Sequence, residues 1–217
     1  MRLRRNYSEP EMMLPNNWRR SLTSLGKEMR FVPKRLVPFW CAFVICPACI
    51  LFHELGHCLA GACLGFSVQL HYAKTTLTIP NEKDTPPVAI FHAGAGPLVT
   101  AILAVVGLLW LHGLRRHRRE ARPTPTDWLA TSLVLNAGRW VVSVIRPRHD
   151  EVLVSQTLGM PGWLLPCLLG VLAFIPLVAA IRLHPPGARL LPFSSLLLGG
   201  GTGVLLWMRL LGPLLLP

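Results

Sequence analysis

Apolar positions in this chain come in long blocks, without the alternation of exposed strands or the heptads of coiled coils. Five such blocks follow residue 35, at 36–65, 88–112, 128–145, 162–183 and 190–211. Each is near the ~20 residues that a helix needs to cross the hydrocarbon of a bilayer. The pattern predicts an all-α membrane protein, a bundle of about five transmembrane helices. Pro47 is a candidate kink in the long first block. The glycine run 199–203 reads as a packing or kink site, or as the join of two half-crossings. Residues 67–79 break the helical pattern. They alternate in part, are rich in Val, Thr and Ile, and run into Pro80-Asn81, so a short β-hairpin or edge strand is expected after the first helix. The expected organisation is a basic cytoplasmic arm at 1–35, a membrane core at 36–160, and C-terminal transmembrane helices at 161–217.

Composition agrees with a bilayer as solvent. Of 217 residues 52% are hydrophobic and 15% charged, against roughly 25% charged in soluble domains. The net charge of +12 sits mainly in the arm and around Arg115–Arg119. Both clusters flank apolar segments, as cytoplasmic loops do, so no nucleic-acid partner is expected. Trp18, Leu22 and Leu25 in the arm suit a membrane surface. The expected location is the cell membrane, multi-pass, with the N-terminus cytoplasmic. The first apolar block begins too late for a secretory leader. All six cysteines lie in apolar runs and read as small hydrophobes, including the Cys46/Cys49 pair at CxxC spacing. Nothing in the sequence sets an oligomeric state.

Most of the ten acidic residues fall in the arm or in connections. Glu54, Asp150 and Glu151 do not. A charged group in a membrane helix costs on the order of 3 kcal/mol and persists with partners and a task. Glu54 lies in His53-Glu54-Leu55-Gly56-His57. Residues four apart share a helix face, so His53 and His57 can direct imidazole nitrogens at one point. That arrangement suits Zn²⁺, which keeps an open position for water when catalytic. Glu54 is placed to act as general base on that water. HExxH is a zinc-hydrolase pattern, and Gly56 gives an opposing backbone room. The variant with a third histidine ten residues on does not apply, because Cys63 stands there.

A third ligand must come from Asp150, Glu151, Asp127 or another histidine. Asp127 reads as a helix-start residue. Asp150 and Glu151 follow Pro147, where the chain is expected to turn, and open a short helix reaching about residue 159. A helix-capping role is the alternative to ligation there; Asp150 is preferred to Glu151.

Phe52-His-Glu-Leu-Gly-His-Cys-Leu-Ala-Gly-Ala-Cys-Leu-Gly65 resembles the first motif of the site-2 protease family of intramembrane zinc metalloproteases. Ala93-Gly-Ala-Gly-Pro-Leu-Val-Thr100 is similar to its Gly-Pro motif, and 133–150 to the segment ending in its ligand Asp. The resemblance implies that Asp150 is the third zinc ligand. The chain departs from the pattern at Glu151 (Gly in the family), Thr100 (Asn) and Val142 (Asn), with Asn136 further upstream. His92, just before the Gly-Pro motif, is a candidate oxyanion donor or an interfacial histidine. Arg139 is a candidate to pair with Asp150 or to snorkel. Asn136, Arg139, His92 and Glu151 are thus the candidate supporting residues.

The expected function is hydrolysis of a peptide bond in a transmembrane protein substrate. The substrate must be locally unwound, and the 67–80 segment is a candidate to hold it as an added strand. Alternatives are a prenyl-protein-type membrane zincin with Glu151 as ligand, a zinc transporter, and an inactive protease-like binding module.

Overall fold

Thr124 shows how local chemistry sets one of the helix starts. Its backbone N–H and hydroxyl both donate to Asp127 Oδ2, at 2.7 and 2.9 Å, and Pro125 occupies the first helical turn. This is a capping box, which satisfies donors that a helix N-terminus otherwise leaves unpaired. Asp127 is therefore the helix-start residue expected of it.

The computed structural model describes residues 35–78, 85–116, 122–145 and 150–216. The basic arm apart from Arg35, the loop acids Glu82, Asp84 and Glu120, and the expected turn at 146–149 lie outside those residues. The described chain is mostly helical: α1 Val37–Cys63, a hairpin of β1 Ser67–Leu70 and β2 Thr75–Thr78, and α2 Pro86–Arg115. Then come α3 Pro125–Leu135, a 3₁₀ turn Asn136–Gly138, α4 Arg139–Ile145, α5 Asp150–Thr157 and α6 Leu164–Leu183. Last is α7 Leu190–Leu206, continued by a π-helical turn Trp207–Leu211 and α8 Gly212–Leu215. Among the described residues five stretches are helical, long and apolar enough to cross a membrane: Val37–Cys63, Pro86–Arg115, Pro125–Ile145, Leu164–Leu183 and Pro186–Leu215.

Helix α1 continues through Pro47 and ends where Gly65 takes φ of +74°. Phe66 N–H returns to the Gly61 carbonyl and Gly65 N–H to that of Ala62, a glycine-terminated helix end. The chain then enters β1, which pairs antiparallel with β2 from Ser67↔Thr78 to Leu70↔Thr75.

The glycine run of the last span is a packing device and not a join between half-helices. A methyl at Gly199 would strike the Phe39 carbonyl, and one at Gly203 the Phe43 carbonyl. Backbone of α7 thus lies directly on backbone of α1, and α7 runs unbroken through the glycines. Such close approach is how helices associate where lipid gives no hydrophobic drive. The last span also ties to the hairpin: Trp207 Nε1–H donates to the Tyr72 carbonyl at 2.9 Å, and Tyr72 N–H to that of Leu216 at 3.3 Å. All six cysteines are free thiols, Cys46 and Cys49 both buried, which is the packing role expected of them.

Candidate metal centre

His53 and His57 lie one turn apart on the buried face of α1, with 0% and 3% of their surfaces exposed. Their crossing partner is α2. A methyl at Gly56 would come within 2.9 Å of the Ala95 carbonyl oxygen, and one at Gly96 would collide with Nε2 of both histidines. The two glycines let α1 and α2 meet at the imidazoles. Gly96 belongs to the Ala93–Thr100 motif, whose local role is now evident: it leaves room for the site.

From the other side α5 delivers Asp150, the first residue of that helix. Its Oδ2 lies 3.1 Å from His53 Nε2 and 3.1 Å from His57 Nε2, and the two Nε2 atoms are 3.2 Å apart. Burial pushes the Asp150 carboxyl up in pKa. The imidazoles of His53 and His57 more than undo that, holding it well below the usual carboxylate range.

The far nitrogen of each ring is also engaged. His57 Nδ1–H donates to the His92 carbonyl at 2.8 Å, and His53 Nδ1 pairs with Thr100 Oγ1 at 3.0 Å. A carbonyl only accepts, so neutral His57 must carry its proton on Nδ1 and present a lone pair at Nε2. That lone pair faces a carboxylate oxygen and a second ring nitrogen. Three electron-rich atoms this close need a cation or a proton between them. His53, His57 and Asp150 are thus a candidate metal-binding triad, with outer hydrogen bonds of the kind that orient metal-bound histidines.

No family model, curated protein or solved structure matches the chain.

Glu54 is 6% exposed, and its Oε2 accepts a hydrogen bond from Thr75 Oγ1 at 3.1 Å. It lines a cavity of about 970 Å³ together with His57, Asp150 and His92. The same cavity is bordered by Thr75 at the hairpin and by Asn136 and Arg139 where α3 gives way to α4. Asn136 Nδ2, Arg139 Nη1 and His92 Nε2 are all buried without a hydrogen-bond partner among the described residues. The Asn136–Gly138 3₁₀ turn sets the first two against the cavity.

The remaining candidates fall elsewhere. Glu151 is 1% exposed, and its Oε2 has no hydrogen-bond partner among the described residues; it is not part of the triad. Arg139 forms no ion pair with Asp150 within 4 Å, nor does it snorkel. It stays inside the bundle, within electrostatic reach of Glu151, Asp150 and Glu54. Asp127 sits against Arg115 instead.

Sequence reasoning placed Thr75 only within the candidate substrate strand, without its bond to Glu54, and missed the His92 backbone altogether. Thr100 stood out only as a departure from the family pattern, and that departure is where the sequence carried a signal.

Proposed function

We propose that this chain is an intramembrane zinc metalloprotease of the kind it resembles, cutting a transmembrane protein within or beside the bilayer. The observation that carries the proposal is the triangle of two imidazole nitrogens and one carboxylate oxygen, 3.1–3.2 Å on a side, on a cavity that Glu54 also lines. Zinc accepts such a donor set. Bonds of ~2.0–2.1 Å in a tetrahedron put ligand atoms ~3.3 Å apart, close to the spacing here. His53, His57 and Asp150 would hold the ion. Zinc so bound would polarise a carbonyl and make a water acidic near neutral pH.

The chain's own groups account for the rest. Glu54 takes the proton of the attacking water and returns it to the leaving amine. Thr75 fixes one carboxylate oxygen of Glu54. Asn136 and Arg139 offer the cavity N–H donors with no partner among the described residues, suited to the negative oxygen that develops at the cleaved carbonyl. A membrane helix must unwind to be cut, and its freed backbone groups then need partners. Strand β2 pairs only with β1 among the described residues, and its first residue, Thr75, borders the cavity. Its open edge is suited to receive the substrate as a further strand.

The membrane is the cell membrane, with the end bearing Arg115, Arg116, Arg122, Arg182 and Arg189 toward the cytoplasm, because cytoplasmic ends are enriched in arginine and lysine.

The test is Glu54→Gln in protein reconstituted with a membrane-spanning peptide. Metal analysis should find zinc retained while cleavage is lost. Cleavage that survives in the variant sinks the proposal. So does a wild-type protein that cuts nothing but carries zinc across vesicle walls.

A further inference from the structure

The same helix that supports the metal centre borders a second cavity about 30 Å further on, the distance from His92 to His112 at ~1.5 Å per helical residue. It has a volume of about 750 Å³ and lies between the C-terminal ends of α2 and α6 and the 184–189 connection. Its walls differ in kind. Leu108, Leu109 and Leu183 make an apolar side, while His112, Arg182 and Arg189 make a cationic one. No carboxylate lines it among the described residues.

The cationic wall is fixed. Arg189 donates through Nε to the His184 carbonyl at 3.0 Å and through Nη2 to that of Arg182 at 3.3 Å. These bonds hold the guanidinium plane and leave Nη1 without a partner among the described residues. Arg182 is exposed, and its side chain makes no hydrogen bond or ion pair among the described residues.

Between them His184 is 1% exposed. Thr131 donates its only proton to the Asp127 carbonyl at 2.7 Å, so His184 Nε2–H donates to Thr131 Oγ1 at 2.8 Å. Nδ1 is left buried as an unused acceptor. Burial, and after it the charge of Arg115 and then of Arg189, hold the pKa of His184 down to about 4 against the opposing effect of Asp127.

An apolar wall meeting a cationic one at a helix end describes the place where a lipid changes from acyl chain to headgroup. We propose that this cavity binds an anionic phospholipid, its phosphate held by Arg182 and Arg189. Guanidinium groups suit phosphate oxygens because two parallel N–H donors can meet two acceptors. The acyl chains follow Leu109, Val105, Ile102 and Leu98, which are 50–66% exposed and form one stripe down α2 at spacings of three and four. Basic clefts between transmembrane helices at the cytoplasmic face take lipids of this charge. The proposal needs the five spans and not the protease reading.

The experiment uses full-length protein in neutral detergent. Phosphatidylglycerol, phosphatidylcholine with the same acyl chains, and inorganic phosphate are titrated separately. Native mass spectrometry reads bound lipid, and the melting temperature is followed in parallel. Phosphatidylglycerol should bind at least tenfold more tightly than phosphatidylcholine. The exposed pair Arg182→Gln with His112→Gln should erase that preference, and Arg182→Glu alone should do so if the double variant does not fold. Glu54→Gln should keep it. Equal binding of the two lipids, a preference that survives the substitutions, or inorganic phosphate matching phosphatidylglycerol would each overturn the assignment. The last outcome would mark a site for soluble anions.

Discussion

Thr75 Oγ1 lies 3.1 Å from Glu54 Oε2 and 3.0 Å from the Glu54 carbonyl oxygen, joining the first residue of β2 to the general-base candidate on α1. A hydroxyl has one proton, so it serves one of these acceptors at a time. Either way the hairpin is fastened to the turn of helix that carries the carboxylate. Thr75→Val keeps the branched shape that suits a strand and removes the donor. Loss of one such bond, worth about 1–1.5 kcal/mol, should lower kcat roughly tenfold. Zinc content should stay at the wild-type level, and Thr75→Ser should restore turnover. A Val variant with unchanged kcat would take Thr75 out of this role.

Asp150 and Glu151 are neighbours in sequence with different surroundings. Asp150 Oδ2 meets both histidines, whereas Glu151 is buried outside the triad. Asp150→Ala should weaken zinc binding by more than the ~10–100-fold that follows loss of a supporting hydrogen bond. Glu151→Gln should leave zinc affinity near wild type. Competition against a chromophoric chelator measures both. The reverse result would move the third ligand to Glu151, as in a prenyl-protein-type zincin.

The supporting bonds make their own prediction. Thr100→Val removes the partner of His53 Nδ1 at nearly constant volume, and zinc affinity should fall ~10–100-fold. Gly96→Ala should be worse, because its methyl would enter the space of both Nε2 atoms. The same competition assay should rank them wild type, Thr100→Val, Gly96→Ala. An alanine variant that binds zinc normally would mean that α1 and α2 can part without losing the site.

Spacing explains which of these features were legible in the sequence. The five spans, the hairpin and the short helix opening at Asp150 follow from local periodicity and turn residues. The His53/His57 pair follows from helical geometry. Choosing Asp150 over Glu151 does not, because successive residues on a helix point ~100° apart. Which one faces the histidines depends on how α5 packs against residues almost a hundred positions away. The roles of Thr75, Thr100 and the His92 carbonyl depend on packing in the same way. Each acts through a contact between elements, and a carbonyl carries no side-chain signature at all. Arg139 was legible as unusual but not in its placement: it borders the same cavity as Asp150 without forming an ion pair with it.

Asp127 and Arg115 are both fully buried, 3.7 Å apart, at the end of the bundle away from the metal centre. Arg115 also donates to the Leu183 carbonyl at 3.3 Å, which draws the ends of α2, α3 and α6 together. Asp127→Asn keeps the shape and removes the charge opposite a buried guanidinium. Breaking one side of a buried pair should destabilise the fold by about 3 kcal/mol. Thr124→Ala, which removes one of the capping-box bonds to Asp127, should cost about 1 kcal/mol. Unfolding in detergent by denaturant measures both. Equal effects would show that the cap, and not the ion pair, is what Asp127 contributes.

His184 should make stability depend on acid. Its ring is stacked on Trp128 at 4.3 Å with the planes 7° apart. Arg115, Arg189 and Asp127 are the charges acting on it. In the folded protein its pKa is about 4, against an ordinary value of 6.5. Between those values the unfolded chain holds the proton and the folded chain does not. Stability from keeping His184 neutral is therefore complete above 6.5, is lost progressively as pH falls, and stops changing below about 4. The quantity that isolates this group is the melting temperature of wild type minus that of His184→Gln. Gln keeps an N–H for Thr131 and cannot take up the proton. The difference should be largest near pH 7 and shrink toward pH 4. A difference that stays constant over that range would mean that His184 is protonated equally readily in both states, and that the positive potential around it is compensated within the fold.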